Sequence, residues 1–141
     1  MSPEQKEVVR TTWQQVAPIA DTAAELFYSR LFEVDPEMKR HFAATDMSAQ
    51  RRKLVQALDG AVAGLDCPEA LVPVLRDLGR RHSGYGVEAR HYETVGAVLL
   101  WTLAQGLGET WSPQVKAAWS EAYRTIAAAM LAGAEPAAQP A

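Results

Sequence analysis

The chain carries a single cysteine, Cys67, so no internal disulfide can form, and one thiol suits a reducing compartment. It lacks an excess of basic charge. Its 14 Lys and Arg against 17 Asp and Glu leave a formal charge of −3, which argues against nucleic acid as a partner. It also lacks a long apolar run. The longest, VGAVLLWTLA from Val95 to Ala104, is ten residues, short of the roughly 20 that a spanning helix needs, so no membrane partner is expected. The opening MSPEQKEVV is polar, with no apolar segment behind a basic start, and the simplest placement is the cytoplasm. Strand signals are missing too: no Asn-Gly or Asp-Gly turn joins two alternating segments. With 141 residues, 48% apolar and 22% charged, the chain is sized for one domain with one core.

Helical periodicity fills the sequence instead. Ser2-Pro3-Glu4-Gln5 reads as a helix start, with Ser2 as cap, Pro3 in the first turn and Gln5 closing a capping box; this helix should end near Val16. Pro18 marks a break before a second helix from about Ile19 to Val34. Asp35-Pro36 opens a short third helix ending near Phe42. Ala43 to Asp46 reads as a loop, and Asp46 or Ser48 caps a long helix to about Leu65. Asp66-Cys67-Pro68-Glu69 starts another, which Pro73 should kink or restart and which should end at His82, before a turn at Gly84 and Gly86. The next helix covers about Val87 to Leu107, stopped by Gly106 and Gly108. Ser112-Pro113 opens the last, ending near Gly133. The expectation is an all-α domain of six to eight helices over residues 1–133, then a disordered tail rich in Pro and Ala, residues 134–141.

Three polar side chains interrupt the apolar faces. His82 follows Leu71, Leu75 and Leu78 at spacings of 11, 7 and 4, all on one helix face. An imidazole buried without a partner is costly. The ring can sit half-buried at the helix end, bonded to backbone or water. Or it can bind a metal through one nitrogen while the other donates to a carbonyl, for which Leu78, one turn back, is the acceptor. Gln50 stands four residues before Leu54, in phase with the apolar face Leu54, Ala57, Leu58, Ala61 and Leu65. A half-exposed first-turn glutamine would look the same. Tyr28 shares a face with Ala24, Leu31 and Phe32, and a buried hydroxyl needs a partner, which a backbone carbonyl would also provide. Phe42 either plugs the core or wedges a flat cofactor. His41 and His91 are expected in solvent.

Singly, each position is ordinary. Together, one inward histidine and two inward hydrogen-bonding groups on other helices suit a five-coordinate haem iron with a polar pocket on its far side. Zinc would need a Cys/His cluster, nucleotide a Gly-rich phosphate loop, and serine hydrolysis a Gly-x-Ser-x-Gly elbow; the sequence has none of these.

Four motifs stand in order: ELFYSRLFEVDPEMKRHF (Glu25 to Phe42), QRRKL (Gln50 to Leu54), LGRRHSGYGVEARHYETVG (Leu78 to Gly96) and VKAAWSEAY (Val115 to Tyr123). In that order and spacing they resemble a single-domain bacterial globin, related to Vitreoscilla-type haemoglobin and to the globin part of flavohaemoglobins, over about Glu4 to Met130. The resemblance implies the globin fold, a three-on-three helical sandwich around haem b. It implies His82 as the proximal iron ligand, Phe42 as the aromatic packed on haem, and Tyr28 with Gln50 as the distal pair that stabilises bound gas. Leu54 would wall the distal pocket, Val87 and Val95 would line the haem, and Tyr92 would lie near the proximal histidine. Lys53 and Arg81, in the basic stretches RRK and RR, would pair with haem propionates or dock an acidic reductase; two solvated basic faces are the alternative. One position departs from the pattern. In flavohaemoglobins a glutamate on the last helix joins the tyrosine and the proximal histidine. Alignment on Trp119 and Tyr123 puts Ala134 there, with Glu135 turned about 100° away.

The implied function is reversible binding of O2, and of NO and CO, at a five-coordinate iron, serving O2 carriage or storage and NO detoxification. The alternative is an NO dioxygenase that draws electrons from a separate flavin reductase, for which 141 residues leave no room. A gas sensor or interaction module of the same fold is the third reading. A monomer or weak homodimer is expected.

Overall fold

A computed structural model describes residues 1–84 and 87–134. The described residues form seven α-helices and no strand. Helix α1 (Pro3–Val16) begins with the expected box: the Gln5 N–H donates to Ser2 Oγ and the Ser2 N–H to Gln5 Oε1, both at 3.1 Å. Pro18 leaves no gap. Ala17–Ile19 tighten into a 3-10 turn and α2 (Ala20–Val34) follows at once. Helix α3 (Met38–His41) is a single turn. Asp46 caps α4 (Met47–Ala63), accepting from the Ser48 and Ala49 N–H groups at 3.0 and 3.4 Å.

A 3-10 turn, Gly64–Asp66, leads to α5 (Pro68–Gly84). Pro73 lies inside α5 without ending it, so the expected restart does not occur, and the helix continues two residues past His82. Helix α6 (Ala89–Leu107) stops at Gly108, whose φ of 54° falls in the left-handed region that glycine tolerates. After a 3-10 turn at Gly108–Thr110 comes α7 (Pro113–Ala134), the last element of the described residues. The turn expected at Gly86, and the tail from Glu135 to Ala141, lie outside the described residues. Among the described residues no helix is long and apolar enough to cross a membrane.

Two buried clusters hold these helices. The larger includes Val9, Val16, Leu31, Leu103 and Trp119 and joins α1, α2, α4, α6 and α7. The smaller, Leu75, Tyr92, Ala127 and Met130, sits under α5. Polar groups in the larger cluster are paired. Trp119 Nε1 donates to Thr12 Oγ1 at 2.9 Å, which itself donates to the Val8 carbonyl at 2.6 Å. Trp13 Nε1 donates to Asp59 at 3.0 Å. These bonds tie α1 to α7 and α4, and α4 in turn packs on α2. Helices α2 and α4, which bear Tyr28 and Gln50, with Phe42 at the end of α3, and the helix bearing His82 are therefore supported by different cores.

Candidate functional site

The first group of residues meets where α2, α3 and α4 converge. Tyr28 is 6% exposed, because the α2 face it shares with Ala24 and Leu31 is turned to the core. Its ring is surrounded by phenylalanines: Phe27 at 5.0 Å, Phe42 at 5.5 Å and Phe32 at 6.1 Å between centroids. Phe42 also packs on Phe32 at 5.6 Å. Gln50, on the first turn of α4, reaches across to donate from Nε2 to Tyr28 Oη at 3.1 Å. Burial pushes the Tyr28 phenol above its ordinary range, and the bond from Gln50 offsets part of that rise. Leu54, one turn further along α4, faces the same side. With Leu58, Ala24, Leu99 and Leu103 it lines an apolar cavity of about 20 Å³.

The second group is on α5 and α6. His82 is half-buried, and its Nδ1 lies 2.8 Å from the Leu78 carbonyl oxygen, the acceptor that the helical spacing pointed to. A carbonyl only accepts, so Nδ1 carries a hydrogen, and in the neutral ring the lone pair is then on Nε2. Among the described residues no three His, Cys, Asp or Glu side chains gather as a metal site. A metal at His82 must bring most of its own ligands, as iron in a porphyrin does. Tyr92 is buried in the cluster with Leu75 and Met130. Its hydroxyl has no hydrogen-bond partner among the described residues, and burial raises its pKa. Tyr123 donates its hydroxyl to the Tyr92 carbonyl at 2.6 Å, and Gly96 leaves the space its ring occupies. Val87 packs on the smaller cluster and Val95 on the larger.

The basic residues stand apart. Lys53 is exposed on α4, and Arg81, also exposed, turns back along α5 to Asp77 at 3.3 Å. His41 is exposed, as expected. His91 is not: it is 4% exposed. Its Nδ1 accepts from the Glu88 N–H at 2.8 Å, so the ring closes the start of α6, and His41 packs against it at 5.7 Å. The reading of His91 as solvated is corrected on that ground. The signal was present as Glu88-x-x-His91, a capping-box spacing with imidazole in place of the usual Glu or Gln. Ala134, where a glutamate would have met the tyrosine, is half-buried at the end of α7.

A family model described as Globin matches residues 25–130. A flavohaemoprotein of Bacillus subtilis is 31% identical over 127 residues, and one of Rhizobium meliloti 32% over 132; these matches cover 89% and 92% of the chain. The chain spans 32% of the length of each. A neuroglobin of Chaenocephalus aceratus is 30% identical over 146 aligned positions, covering 94% of the chain and 92% of the neuroglobin.

Proposed function

The chain belongs to the globin family, and from that premise we propose that it binds O2 and other diatomic gases reversibly, at the iron of a haem b held by His82. Membership in the family implies a haem cofactor, and when bound that group supplies the iron at which gas is taken up. The observation that carries the reading is the His82 Nδ1 bond to the Leu78 carbonyl. In the neutral ring it selects the tautomer whose lone pair is on Nε2, on a side chain in phase with the leucine stripe. The Tyr92 hydroxyl, in the cluster under that stripe, has no partner among the described residues, which is consistent with a further group on that side of α5.

The Tyr28–Gln50 pair, which would face the gas from across the haem, suits a ligand that gains negative charge. The Tyr28 oxygen accepts from Gln50, so its own hydrogen is left to donate, beside a cluster of phenylalanines. A donor aimed at developing charge in such surroundings is worth about 1.5–3 kcal/mol. On the His82 side, a neutral imidazole bonded to a carbonyl gives less electron push than one bonded to a carboxylate. Binding and release of O2, with carriage or storage as its use, is therefore favoured over reactions that break the O–O bond. NO detoxification is consistent with the same distal pair. As a main role, it would need electrons from a separate flavin reductase.

The experiment is reconstitution with haemin. The expected result is a Soret band that shifts with CO and that, in His82→Gly, returns to its wild-type position only when free imidazole is added. A protein that stays colourless would end the reading. Sustained NO consumption over many turnovers with a flavin reductase, rather than one equivalent, would move the assignment to the dioxygenase.

A further inference from the structure

We propose that two glycine contacts between α5 and α7 set the height and tilt of His82, making Gly79 and Gly133 positioning residues for the site; the inference rests on the haem reading above. Gly79 lies directly on the backbone of Met130. A methyl group there would strike the Met130 carbonyl and come within 2.6 Å of its Cα. Gly133 lies in the same way on Arg76, where a methyl group would strike the carbonyl and come within 2.6 Å of the Cα. The contacts are reciprocal. Positions 76 and 79 of α5 face 133 and 130 of α7, as in two helices running in opposite directions, with one turn between the two points. At both points backbone meets backbone, so no flexible side chain lies between them to absorb a displacement.

Glycine is a poor residue for a helix interior, and close approach of another backbone is the reason to use it. The placement matters for His82. Leu78, whose carbonyl holds the ring, immediately precedes Gly79, and His82 follows three residues later. Any shift of α5 at Gly79 moves both the imidazole and the acceptor that orients it. Two points of contact one turn apart fix tilt as well as distance. Among the described residues no ion pair joins α5 to α7: Asp77 of α5 pairs with Arg80 and Arg81 on its own helix.

The test compares the haem-loaded wild type with Gly79→Ala and Gly133→Ala. Gly60→Ala, which opens on empty space, and Gly96→Ala, which meets the Tyr123 ring, serve as controls. The readouts are the iron–histidine stretching band of the ferrous protein, the CO association rate and the thermal midpoint. Gly79→Ala should shift the band and change CO association by about threefold or more. Gly133→Ala, near the end of α7 where the chain can yield, should do the same to a smaller degree. Gly96→Ala should lower the midpoint while leaving band and rate alone, and Gly60→Ala should change neither band nor rate. If both α5–α7 variants lose stability with band and rate unchanged, the contacts are packing alone and the proposal is overturned. Should Gly79→Ala not fold, Gly133→Ala decides. A wild type without an iron–histidine band would sink the haem reading instead. The clamp itself would then be read in the haem-free protein, where α5 amides should exchange faster in Gly79→Ala than in Gly96→Ala, and equal rates would refute it.

Discussion

Gln50 Nε2 lies 3.1 Å from Tyr28 Oη, and the phenol oxygen accepts in that bond. The two side chains are 22 residues apart in sequence and on different helices. Their bond makes the pair a relay rather than two separate donors: the amide occupies a lone pair of the phenol, and the phenol hydrogen points elsewhere. It also strengthens the phenol as a donor, as one bond in a chain polarises the next.

Removing the end of the relay should cost more than removing its support. Tyr28→Phe should raise the O2 off-rate about tenfold or more, the factor for each 1.4 kcal/mol lost. Gln50→Leu should raise it by a smaller factor, because Tyr28 remains. The double variant should match Tyr28→Phe rather than the product of the two, since Gln50 acts through the group already gone. Stopped-flow O2 release on the four proteins checks this. Fully multiplicative effects would mean that Gln50 reaches the gas on its own.

Much of this pair could be read from the sequence. Phase alone put Tyr28 with Leu31 and Gln50 with Leu54, and two inward polar groups on adjacent helices tend to find each other. The bond from His82 to the Leu78 carbonyl was legible for the same reason: a spacing of four on a helix is a contact. His91 was harder. The start of α6, Ala89-Arg90-His91-Tyr92-Glu93-Thr94, is mostly polar, so no apolar stripe said which side His91 faced. Its burial follows from its bond to the Glu88 N–H, which is a capping signal in unfamiliar residues. Gly79 and Gly133 were not legible. A helical glycine reads locally as a cost or a stop, and its value appears only when the other backbone is in view. Pro73 misled in the opposite sense: it forfeits one intrahelical bond, to the Glu69 carbonyl, but the helix packs along α7 and runs on.

Alkaline pH should destabilise the fold through its phenols. Burial raises the pKa of Tyr28, Tyr92 and Tyr123. Below about pH 10, the ordinary tyrosine value, these groups are protonated in both folded and unfolded chains, and their contribution does not change with pH. Above it the unfolded chain ionises first, binds fewer protons than the folded one, and gains in stability relative to it. The thermal midpoint should stay level across neutral pH and fall once pH passes about 10. Tyr123→Phe should soften that fall, although it also removes the bond to the Tyr92 carbonyl. A midpoint that rose through this window would contradict the buried, neutral phenols.

The cap of α4 links stability to the distal pair. Asp46 satisfies two N–H groups at the start of the turn that carries Gln50. Asp46→Ala should cost about 1 kcal/mol in unfolding free energy. The frayed turn should also loosen Gln50, so O2 release should quicken in the direction of Gln50→Leu. Asp46→Asn keeps an acceptor oxygen and should restore most of both. Denaturant melts and O2 off-rates on the same samples test the link. A change in stability with no change in release would show that Gln50 is held by Tyr28 without help from the cap.

Thr12 offers the converse, a buried bond remote from the pair. Its hydroxyl accepts from Trp119 Nε1 and donates to the Val8 carbonyl, and both Thr12 and Trp119 are buried. Thr12→Val keeps the shape of the side chain but leaves the indole N–H without an acceptor, at a cost of about 1–3 kcal/mol. Thr12→Ser keeps the hydroxyl and loses only a methyl group, so it should recover most of the difference. Because α1 touches neither Tyr28 through a hydrogen bond nor α5 through His82, the CO association rate and the O2 off-rate should stay at wild-type values in the folded fraction. Unfolding by denaturant should show a lower midpoint with an unchanged slope, the mark of lost stability without a changed native surface. If gas release moved together with the midpoint, the larger cluster, to which Tyr28 itself belongs, would pass a disturbance in α1 on to the distal pair.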